Sequence, residues 1–215
     1  MSFQQYIFIT GGVGVGKSTL ISHLKQSIPK DQRCIIQEYI DFEPELGKRM
    51  LEQMLQENGN IYNFQLFILD CFERQLQHVG EKKYVIFERS PCDSIMIFST
   101  EAYHQGRISE EQFEQLKKAV DSLVEKYHIP TFEQCSFTRV DTCQFNSNET
   151  FHHVKNIIDS QHEKKQHSCF LLYCSDPYRQ KENIENRGRP EERNYDINYM
   201  ININQKYEDI FSPYF

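Results

Sequence analysis

The residues with the clearest chemistry are Gly11-Gly12-Val13-Gly14-Val15-Gly16-Lys17-Ser18, with Thr19 beside them. Glycine at 11, 12, 14 and 16 lets backbone N–H groups converge on an anion where side chains would block the approach. Lys17 adds a mobile cation for outer phosphates, and the Ser18 hydroxyl is the expected Mg²⁺ ligand. A chance glycine-rich turn is the bland alternative, and the strand-then-helix context argues against it. The spacing therefore predicts a loop that cradles the phosphates of a nucleoside triphosphate. A guanine-reading Asn-Lys-x-Asp is absent. After a later strand stands Glu88-Arg89-Ser90, which sets a cation beside an acid where a motor-type ATPase usually carries an Asp.

Such a loop needs a strand before it and a helix after it, with the helix N-terminus aimed at the anion. Tyr6-Ile7-Phe8-Ile9 is the apolar run of a buried strand, and a helix is expected from Lys17 to Ser27, ended by Pro29. Further strands are expected at Cys34–Glu38, Tyr84–Phe87 and Phe170–Cys174. Helices are expected at Glu45–Gln56 and Tyr62–His78, and one from the capping box Ser109-x-x-Gln112 to Tyr127. Pro177 opens the next helix in its first turn. Strands alternating with helices predict an α/β fold: a mostly parallel sheet of four to five strands with helices on both faces. One domain over 1–215 is expected, with an insertion at 130–167 holding a small hairpin (Ser136–Phe145) and a short helix (Glu149–Ser160).

Composition narrows the function classes. The formal net charge is −7, which argues against a broad basic face for a nucleic acid polymer. The seven cysteines are odd in number and form no Cys-x-x-Cys pair, so free thiols in a reducing compartment are expected and zinc is poorly supported. No apolar run approaches about 18 residues, so no membrane span is expected. The start lacks a cationic leader pattern, and the expected setting is cytoplasmic.

Four more features join the loop: Glu38 at the end of the second strand, Phe64-Gln65 on a helix, Phe87-Glu88-Arg89-Ser90 after the third strand, and Arg187-Gly188-Arg189-Pro190-Glu191-Glu192 beyond the fourth. Together they resemble the deoxyribonucleoside kinases, the family of thymidine, deoxycytidine and deoxyguanosine kinases and, more distantly, herpesvirus thymidine kinase. The resemblance covers most of residues 6–127 and 168–211. It implies that ATP with Mg²⁺ phosphorylates the 5′-hydroxyl of a small nucleoside, as in nucleotide salvage. Glu38 would accept the hydroxyl proton; Glu43, followed by Pro44, is the alternative, since the family usually has Pro after this Glu and Glu38 is followed by Tyr39. Arg89 would hold the 5′-oxygen and the incoming phosphoryl group, and Glu88 would help hold Mg²⁺. Arg187 and Arg189 would belong to a lid over the ATP phosphates, and Glu192 would accept a hydrogen bond from the sugar 3′-hydroxyl.

Gln65 resembles the amide that reads the base edge, and Phe98 the aromatic that stacks on the base. Members that favour deoxycytidine or purines carry an Arg where this chain has Phe72, and its Asp partner falls at Ser94, one position from Asp93. A thymidine-like pyrimidine is thereby favoured. Three departures stand out. Met54 replaces a sugar-binding Tyr, for which Tyr62 is the candidate substitute. The 130–167 insertion has no counterpart in the short members, and the family's fifth strand after the lid helix has none before Phe215, so either the sheet keeps four strands or the insertion supplies an edge. A thymidylate-type monophosphate kinase, with Arg49 and Arg74 serving the acceptor phosphate, and a non-catalytic nucleotide-binding protein are the competing readings. A homodimer is implied by the resemblance alone.

Overall fold

Alternation along the strands decides which side chains reach which layer. The computed structural model describes residues 3–56, 59–189 and 196–215. In chain order the elements are β1 (Gln5–Thr10), α1 (Lys17–Ser27), β2 (Arg33–Ile36), α2 (Tyr39–Phe42), α3 (Pro44–Leu55), α4 (Ile61–Leu76), β3 (Tyr84–Glu88), α5 (Pro91–Asp93), a π-helical segment (Ser94–Ser99), α6 (Thr100–His104), α7 (Glu110–Tyr127), β4 (Cys135–Asp141), α8 (Ser147–Glu163), β5 (His167–Tyr173), α9 (Pro177–Arg187) and α10 (Ile197–Phe211). They form two compact units: Met1–Ile35, Glu81–Arg89 and Pro130–Phe215 make the first, and Ile36–Gly80 with Ser90–Ile129 the second.

The first unit holds a five-stranded parallel sheet in the order β2-β3-β1-β5-β4. Ile7 lies opposite Ile86 and Phe8 opposite Phe87, so the isoleucines share one face and the phenylalanines the other. On the first face Ile7, Ile9, Ile86, Phe170 and Leu172 pack with Leu20, Ile21 and Leu24 of α1 and Val154 and Ile158 of α8. On the second, Phe8 and Phe87 meet at 5.1 Å, and Phe132, Phe137 and Phe211 of α10 continue the aromatic layer. Burying each such side chain contributes about 1.5–3 kcal/mol, which is why strands covered on both faces read as unbroken apolar runs.

The parallel sheet with flanking helices is the expected fold, with two corrections. In place of a hairpin at Ser136–Phe145, a single strand β4 pairs along its length with β5, from Cys135 opposite His167 to Asp141 opposite Tyr173. Pairing with β5 satisfies the backbone groups that a hairpin would have satisfied within itself. The 130–167 stretch therefore supplies the fifth, edge strand, and its helix α8 starts at an Asn146 cap that accepts from the Asn148 and Glu149 N–H groups. Second, β2 ends at Ile36, so Glu38 lies beyond the strand and caps α2.

The second unit is helical. Ile40, Leu51 and Phe64 form its apolar centre, with Tyr39, Met50, Met54 and Phe67 packed on it. The expected capping box before α7 is present in both arms, Ser109 accepting from Gln112 N–H and Gln112 from Ser109 N–H. No helix among the described residues is long and apolar enough to cross a membrane.

None of the seven cysteines is in a disulfide, and Cys143 Sγ and Cys174 Sγ lie 2.8 Å apart in the first unit. Burial pushes Cys71, Cys92 and Cys174 up to about 12, so their thiolates are scarce at neutral pH. Above about pH 9 the unfolded chain ionises these thiols before the folded one does, so stability falls across the window from about 9 to 12. Iodoacetamide at pH 8 is expected to spare all three in the native chain and to label them after denaturation. Mass spectrometry of the labelled peptides checks this, and native labelling of Cys71 as fast as in urea would contradict its burial.

Candidate functional site

The phosphate loop runs from the end of β1 at Thr10 to the start of α1 at Lys17. Gly11 has φ 133°, and a Cβ there would stand 2.0 Å from the Leu172 carbonyl oxygen of β5, so only glycine lets the chain turn this close to its neighbour strand. Gly16, at φ 94°, is the N-cap of α1, which opens without a side-chain cap. The orphan N–H groups of that helix end are left to meet an anion. Lys17 is 5% exposed, and its Nζ donates to the Gly12 carbonyl at 2.7 Å. The lysine is thus folded back onto its own loop.

Ser18 follows on α1, and its Oγ donates to Glu88 Oε1 at 2.7 Å. Glu88 is the last residue of β3 and is 3% exposed. A hydroxyl and a carboxylate side by side suit a hard cation that takes its remaining ligands from water and phosphate, as Mg²⁺ does. Among the described residues no group of three or more His, Cys, Asp or Glu side chains converges as a metal site, so Ser18 and Glu88 would be the protein's share of such a site. Arg89, at φ 61°, is one of three non-glycine residues with positive φ among the described residues. Its backbone N–H bonds the Ile9 carbonyl, and its Nε and Nη2 donate to the Gly11 carbonyl at 3.3 and 3.2 Å. That conformation costs a non-glycine residue on the order of 1 kcal/mol, and it brings the guanidinium onto the loop.

Beside the loop lies a cavity of about 620 Å³, lined by Gly14–Leu20 and by two other stretches of the first unit. From 130–167 come Thr142, Phe145, Asn146 and Thr150; from α9 come Arg179, Asn183 and Arg187. Its size lies within the ~300–1,000 Å³ usual for small-ligand sites. Arg187 ends α9, Gly188 turns the chain at φ 69°, and Arg189 follows. Glu192 lies outside the described residues.

The second unit carries the other expected site residues. Glu38 is half-buried at the N-cap of α2. The preceding Gln37 is held from both sides by Gln75 of α4, whose Oε1 accepts from Gln37 N–H at 2.8 Å and whose Nε2 donates to Gln37 O at 3.0 Å. Glu43, the alternative acid, forms an ion pair with Arg74, whose guanidinium also lies 5.0 Å from the centre of the Phe42 ring and near Asp70. Gln65 on α4 is 3% exposed, and its side-chain oxygen has no hydrogen-bond partner among the described residues. Phe72 is buried on the same helix, and Phe98 is half-buried on the π-helical segment packed against it. Asp93 has partners: its Oδ2 accepts from the backbone N–H and the hydroxyl of Ser90, both at 2.7 Å. The Tyr62 hydroxyl donates to Gln115.

The structure thus gathers Lys17, Ser18, Glu88 and Arg89 around the loop. Three amides escape a reading of motifs: Gln75 beside Glu38, and Gln180 and Asn183 of α9, which donate to loop carbonyls. For Gln75 and Gln180 the only signal in the sequence is an amide on a helix face that otherwise turns inward; Asn183, on the exposed side of α9, carries none.

A family model described as deoxynucleoside kinase matches residues 7–146, about two thirds of the chain, ending before α9. No curated protein sequence matches it.

Lys17→Ala is expected to leave the melting temperature nearly unchanged and to lower turnover by at least about 10²-fold, since it removes a preorganised charge from the phosphate site. Turnover close to wild type in the folded variant would overturn the reading of the loop.

Proposed function

Because the chain belongs to the deoxynucleoside kinase family, we propose that it transfers the γ-phosphoryl group of ATP to the 5′-hydroxyl of a thymidine-like deoxynucleoside. The 5′-oxygen bonds to the γ-phosphorus, the bond from that phosphorus to the β,γ-bridging oxygen breaks, and ADP leaves. Glu38 takes the hydroxyl proton as general base. Lys17 and Arg89 exchange the carbonyls of Gly12 and Gly11 for phosphoryl oxygens and balance the charge that spreads over them. Ser18 and Glu88 would hold Mg²⁺ together with the nucleotide, and the ion would add positive charge against the developing negative charge of the phosphates. Arg187 and Arg189 close over the same phosphates, and Glu192 accepts from the sugar 3′-hydroxyl. The cavity beside the loop offers the donor's base and ribose a place along Phe145 and Thr142. A homodimer and a cytoplasmic setting complete the reading.

One observation carries the acceptor assignment: the unpaired, buried oxygen of Gln65. Leaving such an acceptor unsatisfied costs about 1–3 kcal/mol, which a ligand N–H recovers. The N3–H of thymine fits that oxygen while its O4 accepts from the Gln65 amide, and Phe98 stacks on the ring. Phe72 offers no cation for a cytosine or purine edge. Asp93 Oδ2 is already engaged by two hydrogen bonds from Ser90. The monophosphate-kinase alternative draws no support from Arg74, whose charge is engaged by Glu43 and Asp70.

Two measurements test the reading. Glu38→Gln is expected to cut kcat by about 10²–10⁴, while Glu43→Gln lowers the melting temperature by loosening Arg74 and leaves kcat within a few-fold; the opposite pattern would move the base to Glu43. In a panel of thymidine, deoxyuridine, the other deoxynucleosides and thymidylate, kcat/KM for thymidine is expected to exceed that for deoxycytidine by about 10- to 100-fold. A deoxycytidine or deoxyguanosine preference above about tenfold would remove Phe72 from its assigned place, and thymidylate as best acceptor would favour the monophosphate kinase.

A further inference from the structure

Four successive carbonyls of the phosphate loop each accept a hydrogen bond from a side-chain N–H. Arg89 holds Gly11 O and Lys17 holds Gly12 O. Gln180 Nε2 holds Val13 O, and Asn183 Nδ2 holds Gly14 O at 3.0 Å. The first two donors are cations that the proposed reaction draws toward phosphate. The last two are neutral amides on one helix, α9, and have no competing anion to follow.

The geometry of a trans peptide gives these bonds a consequence. The carbonyl of one residue and the N–H of the next point in opposite directions across a planar unit. Holding Val13 O and Gly14 O on the α9 side therefore turns the N–H groups of Gly14 and Val15 the other way. Gln180 is well placed to do this rigidly. It is fully buried, and its Oε1 accepts from Asn204 Nδ2 of α10 at 2.7 Å. A Cβ on Gly12 would stand 2.4 Å from Asn204 Oδ1 and 3.0 Å from Gln180 Nε2, so the amide pair fills the space directly behind the loop. Asn204 also fixes which end of the Gln180 amide faces Val13, because its own N–H needs the oxygen. Asn183 lies one turn before Arg187 on the same helix face.

We propose that Gln180, oriented by Asn204, and Asn183 are positioning residues for triphosphate binding. They fix the peptide planes of the outer half of the loop and tie that half to the helix that ends in Arg187. The inference rests on the reading of the loop as a triphosphate site and adds to it residues whose N–H groups hold loop carbonyls, of which Asn183 also lines the cavity beside the loop.

The test titrates the full chain with inorganic tripolyphosphate and with ATP, both with Mg²⁺, and repeats this for Gln180→Met, Asn204→Asp and Asn183→Ala. Melting temperature and steady-state kinetics accompany each variant. Gln180→Met keeps the length and loses the donor; it is expected to weaken both ligands about tenfold and to lower kcat, with the acceptor KM unchanged. Asn204→Asp cannot donate to Gln180 Oε1, which leaves that buried oxygen without its partner and loosens the orientation of the amide, and the same tenfold loss is expected. Asn183→Ala, at an exposed position, is expected to cost about threefold. If folded Gln180→Met or Asn204→Asp binds tripolyphosphate as the wild type does, or if the acceptor KM rises in step with the loss of ATP binding, the proposal is overturned. Should Gln180→Met not fold, wild-type binding by Asn183→Ala and Asn204→Asp overturns it equally. A wild-type chain that binds neither ligand, or binds both unchanged after Lys17→Ala, refutes the triphosphate reading itself; wild-type binding that depends on Lys17 but not on the amides refutes only their role.

Discussion

An anion held by backbone N–H groups requires peptide planes turned the right way, and that requirement governs the region around residues 11–16. Each plane that presents an N–H to the ligand sends a carbonyl in the opposite direction, where it needs a donor of its own. The loop passes so close to β5 that a Cβ at Gly11 would sit 2.0 Å from Leu172 O, so little room is left for solvent to serve as that donor. Side chains serve instead. Arg89 from the end of β3, Lys17 from α1 and two amides from α9 take the four carbonyls in order. The strand order that puts β1 between β3 and β5 brings those donors within reach.

The same constraint gives the 130–167 stretch its place. A parallel strand next to the central β1 performs best with both neighbours paired, and β5 without β4 would expose a row of unpaired backbone groups at the sheet edge. β4 closes that row, and α8 adds Val154 and Ile158 to the apolar layer beneath α1. The turn between them then lies along the phosphate loop, where Thr142 and Phe145 line the cavity. One segment therefore covers an edge, thickens the core and walls a ligand site.

What could be read from the sequence was what acts locally. The loop announces itself because its glycines, Lys17 and Ser18 are adjacent in the chain and work as neighbours. Glu88-Arg89 was legible for the same reason, as the polar end of a buried strand. The amides were not legible, because the use of a glutamine depends on what lies opposite. Gln180 meets Val13 across 167 residues, and Gln75 meets Gln37 across 38. An alternating strand carries no label for its partner, so Ser136–Phe145 reads as a hairpin although β4 pairs with β5. Apolar pattern marks a strand's centre better than its limit, so Glu38 reads as a strand end although β2 stops two residues earlier. Nor does the sequence show that Asp93 Oδ2 accepts from both the N–H and the hydroxyl of Ser90, three residues back.

The contrast between the two kinds of donor also says how the resting loop relates to a loaded one. A lysine or arginine bonded to a neutral carbonyl gains about 1.5–3 kcal/mol, but a phosphate with full negative charge is a stronger partner for either. Lys17 and Arg89 are therefore held in place by bonds they can exchange once an anion arrives. Gln180 carries no charge, is sealed from solvent and is fixed by Asn204, so nothing in the ligand competes for its N–H. An arriving phosphate would free the carbonyls of Gly11 and Gly12 while those of Val13 and Gly14 stay held. On the proposed reading, rearrangement on binding would fall in the half of the loop nearest β1, with the α9 side held by its two amides.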